Sequence, residues 1–76
     1  MKVTVYSTPT CPFCKQAKKF LDNYNVEFED IDVSVDTEKA QLMIEKSNQM
    51  GVPVIDIDGE ILVGFDEKKL KELLSL

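Results

Sequence analysis

The chain has 76 residues, 43% of them hydrophobic, and 9 lysines set against 14 carboxylates leave a formal charge of −5. This length is expected to hold one small domain spanning residues 1–76, burying only about two-thirds of its unfolded surface, so a ligand should sit in a surface groove and not inside an enclosed cofactor cavity. The absence of His excludes a Cys-His or Ser-His dyad and the commonest metal ligand, and the absence of Arg excludes bidentate phosphate clamping and the usual guanine readout.

From Lys2 to Ser7, Val3 and Val5 alternate with Thr4 and Tyr6, which predicts a strand with two different faces, ended by Thr8-Pro9-Thr10. From Cys11 to Tyr24 the apolar residues Phe13, Ala17, Phe20, Leu21 and Tyr24 recur three and four apart, with Lys15, Lys18, Lys19 and Asp22 opposite. That spacing predicts an amphipathic helix. Pro12 suits its first turn, where an amide donor has no intrahelical partner, and Asn23 to Asn25 supply the stop. Both cysteines therefore fall at a helix N-terminus.

Val26 and Phe28 alternate with Glu27 and Glu29, and Ile31, Val33 and Val35 continue in the opposite parity. The slip at Asp30 implies a bulge or the end of a strand. Asp36 or Thr37 can cap a second helix with Ala40, Met43, Ile44 and Ser47 on one stripe, ending near Asn48. Gly51-Val52-Pro53 leads into Val54 to Ile57, and Asp58-Gly59 separates that run from Glu60 to Val63. Asp-Gly between two apolar runs predicts a two-residue hairpin, because a type I′ turn needs positive φ at both central residues. Asp66 caps a last helix whose stripe is Leu70, Leu73 and Leu74, with Phe65 and Leu70 spaced as a hydrophobic staple.

The order is thus β-α-β-α-β-β-α. A right-handed strand-helix-strand unit makes the first two strands parallel and the hairpin adds an antiparallel pair. The fold class is α/β, one mixed four-stranded sheet with three helices, and the first strand is expected to be central.

The only two cysteines, Cys11 and Cys14, lie three apart, a spacing that closes too small a loop to staple a secreted scaffold. A cysteine attacks as thiolate, so something must stabilise the anion. The free first-turn amides of Phe13 and Cys14 can do so for an exposed Cys11, while Cys14, one turn later, donates its S–H. Solvated Lys15, Lys18 and Lys19 add little. Cys11 is then the nucleophile and Cys14 the resolving thiol of a disulfide exchange. Two thiols without His do not complete a four-ligand zinc site, so a metal or iron-sulfur cluster would require a dimer sharing four thiolates. Pro53 is either a strand-start proline or the second residue of a cis Val52-Pro53 bond facing the cysteines. Phe13 is core or substrate-facing surface with equal weight.

Over essentially the whole chain these residues resemble the glutaredoxin family. Tyr6-Ser7-Thr8-Pro9-Thr10-Cys11-Pro12-Phe13-Cys14 is similar to that family's dithiol segment, Val52-Pro53 to its cis-proline, and Val63-Gly64-Phe65-Asp66-Glu67 to the segment that opens its last helix. The resemblance implies a thioredoxin-like fold and dithiol reduction of protein disulfides or glutathione mixed disulfides, with glutathione as co-substrate and no tightly bound cofactor. It implies a glutathione groove formed by Thr8, Pro12, Phe13, Val52, Pro53, Gly64, Phe65 and Asp66, in which the Val52 backbone pairs with the tripeptide and the last helix holds its γ-glutamyl end.

The family often has Lys where this chain has Thr8, a basic residue where it has Gln49, Thr where it has Gly51 and Gly where it has Val63. Each change removes charge or room, so glutathione dependence should be reduced. Glutaredoxin-like electron donors of ribonucleotide reductase, reduced by thioredoxin reductase, share the Gly64-Phe65 pairing but usually carry other residues between the cysteines and a basic segment after the Phe. Net acidity argues against nucleic acid as a partner. No run approaches the roughly 18 apolar residues of a membrane span, and no apolar leader precedes Val3. A cytoplasmic monomer acting on glutathione and disulfide-containing proteins is expected.

Overall fold

The computed structural model describes residues 2–76. Its elements are β1 (Val3–Ser7), α1 (Pro12–Asn23), β2 (Glu29–Asp32), α2 (Thr37–Ser47), β3 (Val54–Ile57), β4 (Glu60–Val63) and α3 (Glu67–Leu74). The strands form one sheet in the order β2-β1-β3-β4. β1 runs parallel to β2, with Tyr6 opposite Ile31, and antiparallel to β3, with Val5 opposite Ile55. All five residues of β1 are buried, as an inner strand covered on both faces requires.

Period-two alternation in β1 divides the core. Val3 and Val5 join Ala17, Phe20 and Leu21 of α1 and Leu70 and Leu74 of α3 on one face of the sheet. Tyr6 packs with Ile31, Val54 and Met43 of α2 on the other. The parity change in the second apolar run has the same origin. Val26 and Phe28 lie before β2, half-buried against the α1 and α3 cluster, whereas Ile31 and Val33 belong to the α2 cluster. Residues an odd number apart point to opposite faces of an extended chain, so the slip marks a change of face and needs no bulge. β2 begins at this slip instead of ending there, and Val35, expected to continue the alternation, stands 78% exposed beyond it.

Local chemistry sets the element ends. Asp36 caps α2 by accepting from the Lys39 amide at 3.0 Å, and Asn48 closes it in the left-handed region. Asp58 and Gly59 have φ of 50° and 95°, the pair of positive values that the hairpin turn needs. Asp66 caps α3 through the Lys69 amide, and Phe65 packs on the cluster that contains Leu70. Among the described residues no helix is long and apolar enough to cross a membrane.

One buried charge ties the hairpin to α2. Asp56, in β3, accepts from the Gly59 amide at 2.8 Å through one carboxylate oxygen and from Lys46 Nζ at 2.8 Å through the other. Burial alone would raise this carboxyl, but the Lys46 hydrogen bond, the Gly59 amide and the lysine charge together hold it below its ordinary value of 3.8. A carboxyl depressed in the folded state stabilises the protein above its unfolded value and loses that contribution as pH falls through the folded one. Urea unfolding at pH 7 and pH 3 should therefore show a steeper acid loss for the wild type than for Asp56→Asn. Equal acid dependence in the two proteins would contradict this.

Candidate active site

β1 delivers the chain to the site. After Ser7 the Thr8-Pro9-Thr10 turn reverses it, and the Cys11 amide donates to the Thr8 carbonyl at 3.4 Å. Cys11 is the N-cap of α1, with extended backbone (φ −91°, ψ 113°) and Pro12 in the first helical position. Its Sγ accepts from the Cys14 amide at 3.2 Å, and its carbonyl accepts the first intrahelical bond, from Lys15, at 3.2 Å. A cysteine thus takes the role usually filled by Ser, Thr, Asp or Asn. Of the two amides expected to reach the sulfur, only that of Cys14 does so. The side chain of an N-cap settles on the third helical amide here, leaving the Phe13 amide out of range.

The two thiols have different surroundings. Cys11 is half-buried, less open than anticipated, and Cys14 is fully buried. Burial pushes the Cys14 thiol up from 9.0 to about 11, and its side-chain hydrogen bond to Cys11 acts in the same direction. The Thr8 backbone hydrogen bond and the Lys18 charge pull it back only in part. Cys14 is therefore protonated at neutral pH and available as a donor to Cys11.

The facing wall is the loop before β3. The Val52-Pro53 bond is cis, and the Val52 carbonyl lies 3.8 Å from Cys11 Sγ. That carbonyl can only accept, so the contact exists with the Cys11 thiol, and on ionisation the Cys14 amide is the partner that remains. The loop is held by Gln49, whose side-chain oxygen accepts from the Gly51 amide at 2.6 Å and whose side-chain nitrogen donates to the Gly51 carbonyl at 3.0 Å. A Cβ at Gly51 would come within 2.8 Å of that Gln49 oxygen, so a Thr at this position is incompatible with the clasp as it stands. The far end of β4 joins the same wall, where the Gly64 amide, at a φ of 82° that favours glycine, donates to the Pro53 carbonyl at 2.8 Å.

Around Cys11 the candidate residues divide by exposure. Pro12 and Asp66 are exposed, Thr8, Val52, Gly64 and Phe65 half-buried, and Pro53 buried. Phe13 is 59% exposed, which places it on the surface and not in the core. Asp66 commits one oxygen to capping α3, at 3.2 Å from the Lys69 amide. Among the described residues no three His, Cys, Asp or Glu side chains are placed to hold a metal ion, so a metal would need thiolates from a second copy. A cavity of about 430 Å³ lies under α2, lined by Thr4, Tyr6, Ile31, Lys46 and Asp56 among others, and includes none of the residues around Cys11.

One cluster was not anticipated. Lys18 Nζ lies 3.0 Å from Asp30 Oδ2 and 3.3 Å from Ser7 Oγ, and Ser7 donates to Asp30 Oδ1 at 2.8 Å. The available signal was the placement of Lys18 four residues after Cys14, on the same face of α1.

Comparison with known proteins agrees with this geometry. Residues 3–62 match the family model described as Glutaredoxin. A glutaredoxin-like 8.6 kDa protein from the rubredoxin operon of Clostridium pasteurianum is 44% identical over 73 residues, covering 96% of this chain and 97% of its own. The crystal structure of a glutaredoxin from Archaeoglobus fulgidus superimposes with a TM-score of 0.88 at 31% identity, covering 96% of this chain and 85% of the other. NrdH-redoxin from Escherichia coli, a glutaredoxin-like protein with a thioredoxin-like activity profile, gives a TM-score of 0.87 at 25% identity, covering 96% and 95%. The strand order and helix placement are those of a thioredoxin-like fold.

The contrast between the thiols predicts their labelling. Iodoacetamide at pH 8 should modify Cys11 and leave Cys14 largely unlabelled, because Cys14 is buried and a thiol raised to about 11 is ionised only to about one part in a thousand at that pH. Peptide mapping reads the ratio, and equal labelling would contradict the assignment.

Proposed function

Because this chain belongs to the glutaredoxin family and is a redox protein of thioredoxin-like fold, we propose that it reduces disulfides by a two-thiol exchange in which Cys11 attacks and Cys14 resolves. The observation that carries this reading is the pairing of an N-cap sulfur that accepts a helix amide with a buried, protonated thiol one turn further on. In the first step the Cys11 thiolate attacks one sulfur of the substrate disulfide, and the other leaves with the bonding electron pair. In the second, Cys14 loses its proton and attacks Cys11 Sγ, releasing the remaining substrate sulfur as a thiol. The substrate disulfide is reduced and the protein is left with a Cys11–Cys14 disulfide, which two thiols of an external reductant reset.

Glutathione is the reductant proposed, in a groove bounded by Thr8, Pro12 and Phe13 on one side, Val52 and Pro53 on the other, and Gly64, Phe65 and Asp66 at the end. The start of α3, whose first-turn amides lack intrahelical partners, suits a carboxylate, and the Asp66 oxygen not used for capping can take an ammonium. The groove is poor in positive charge. Thr8 is neutral, and both ends of the Gln49 amide are engaged with Gly51. This supports weak glutathione affinity and a preference for protein disulfides; a monomer working in the reducing cytoplasm is the setting proposed for that activity.

A second reading, an electron donor to ribonucleotide reductase reduced by thioredoxin reductase, is favoured by the likeness to NrdH-redoxin along 96% of this chain. Turnover of a disulfide substrate with glutathione and its reductase, compared with thioredoxin reductase alone, separates the two. In either case Cys14→Ser should accumulate a mixed disulfide at Cys11, seen as an added mass on the peptide containing residue 11, and Cys11→Ser should abolish exchange. Exchange persisting in Cys11→Ser would refute the proposal.

A further inference from the structure

The protonated state of Cys14 leaves the second step with a requirement of its own. Before Cys14 can attack, its buried sulfur must lose a proton, and by then the Cys11 sulfur is locked in the mixed disulfide and the Cys14 amide no longer faces an anion. The groups that face Cys14 are few. From α1 they are Cys11 and Lys18 and from the turn after β1 the Thr8 backbone, while the Ser7 hydroxyl and Asp30 of β2 stand behind Lys18 and act through it.

Lys18 differs from its neighbours on the helix. Lys15 and Lys19 are exposed, whereas the Lys18 side chain is only 25% exposed and turns toward the sheet. Its ammonium is one corner of a closed triangle. Asp30 holds it at 3.0 Å, Ser7 at 3.3 Å, and Ser7 and Asp30 bond to each other at 2.8 Å. Ser7 is 2% exposed, so the triangle is anchored in the core beside the strand end that carries the active-site turn. A lone surface lysine would sample many rotamers and be screened by solvent, whereas this cation is tied at two points, to the buried Ser7 and to an Asp30 that is 45% exposed, which restricts where it can lie. Residues four apart on a helix are neighbours, about 5–6 Å between their Cβ atoms, which places this cation on the Cys14 side of α1.

We propose that Lys18 is a positioning residue for the resolving step, its ammonium fixed by Asp30 and Ser7 so that it stabilises the Cys14 thiolate as that sulfur attacks Cys11. The inference rests on the two-thiol reading given above. In the step concerned, a bond forms between Cys14 Sγ and Cys11 Sγ, the bond from Cys11 to the substrate sulfur breaks, and the electron pair goes to the departing sulfur. The proton given up by Cys14 ends on that sulfur or in solvent, so no further oxidant or reductant is needed.

The two steps can be timed separately with one equivalent of dithiobis(nitrobenzoate), which releases a coloured thiolate once when Cys11 attacks and again when Cys14 does. In stopped-flow mixing, Lys18→Met should slow the second release roughly threefold to tenfold at pH 7 and move its rate profile to higher pH, while the first release stays within about twofold of wild type. Lys18→Arg, which keeps the charge, should restore most of the rate and the original profile. An unchanged second release in Lys18→Met, or an equal slowing of both, would overturn the proposal. So would slowing without a pH displacement that Arg does not rescue, which is the behaviour of a purely structural tie between α1 and β2. A wild-type protein with no second release would instead overturn the resolving role of Cys14 and the function built on it.

Discussion

The hydrogen bond from the Cys14 amide to the Cys11 sulfur, 3.2 Å long, is the interaction on which the site depends. It is a helix cap and a means of holding an anion at the same time. The first turn of any helix presents amides without intrahelical partners, and a side chain at the N-cap satisfies one of them. With sulfur in that place, the group that completes the helix is also the group that reacts. Pro12 fits this arrangement, since it fixes the helical φ and leaves no competing amide beside the sulfur. Cys14 contributes its backbone to the first thiol and its side chain to the second step, which is why the separation of three residues matters.

The rest of the fold brings a second wall to this helix start. β1 and β3 are adjacent, antiparallel inner strands, so the turn leaving β1 and the loop entering β3 emerge at the same end of the sheet. Cys11 rides on the first and Val52 on the second. Gly64 then attaches the end of β4 to Pro53, and the cap of α3 follows two residues later. A small sheet thus converges three loops on one sulfur without an enclosed cavity, as expected for a chain whose core is limited by its length. The wall is shaped more by backbone than by charge, because Gln49 spends its amide on Gly51.

Much of this was legible in the sequence because it depends on local chemistry. The Asp58-Gly59 turn, the Asp36 and Asp66 caps, the stripe from Ala17 to Leu21 and the placement of both cysteines are each decided by residues within a few positions of one another. What was not legible depends on residues brought together by the sheet. The apolar run from Val26 to Val35 reads as one interrupted strand, yet its two halves serve opposite faces, and only the packing of α1, α2 and α3 reveals this. The partner of Lys18 is Asp30, on a strand that reaches α1 only through β1, so the lysine reads as a solvated charge until the register of β1 and β2 is known. Gln49 reads as a missing cation, and its role as the clasp of the loop depends on a turn conformation that no pattern of residue types encodes.

The site works only if the Cys14 amide is bound to the Cys11 sulfur. Amide hydrogen exchange of the reduced protein, read by NMR, tests this directly. The Cys14 amide should be protected in the wild type and should exchange roughly tenfold faster or more in Cys11→Ala, which removes its acceptor. A Cys14 amide that exchanges at the same rate in both proteins would contradict the capping bond and, with it, the assignment of Cys11 as the sulfur that the helix holds ready.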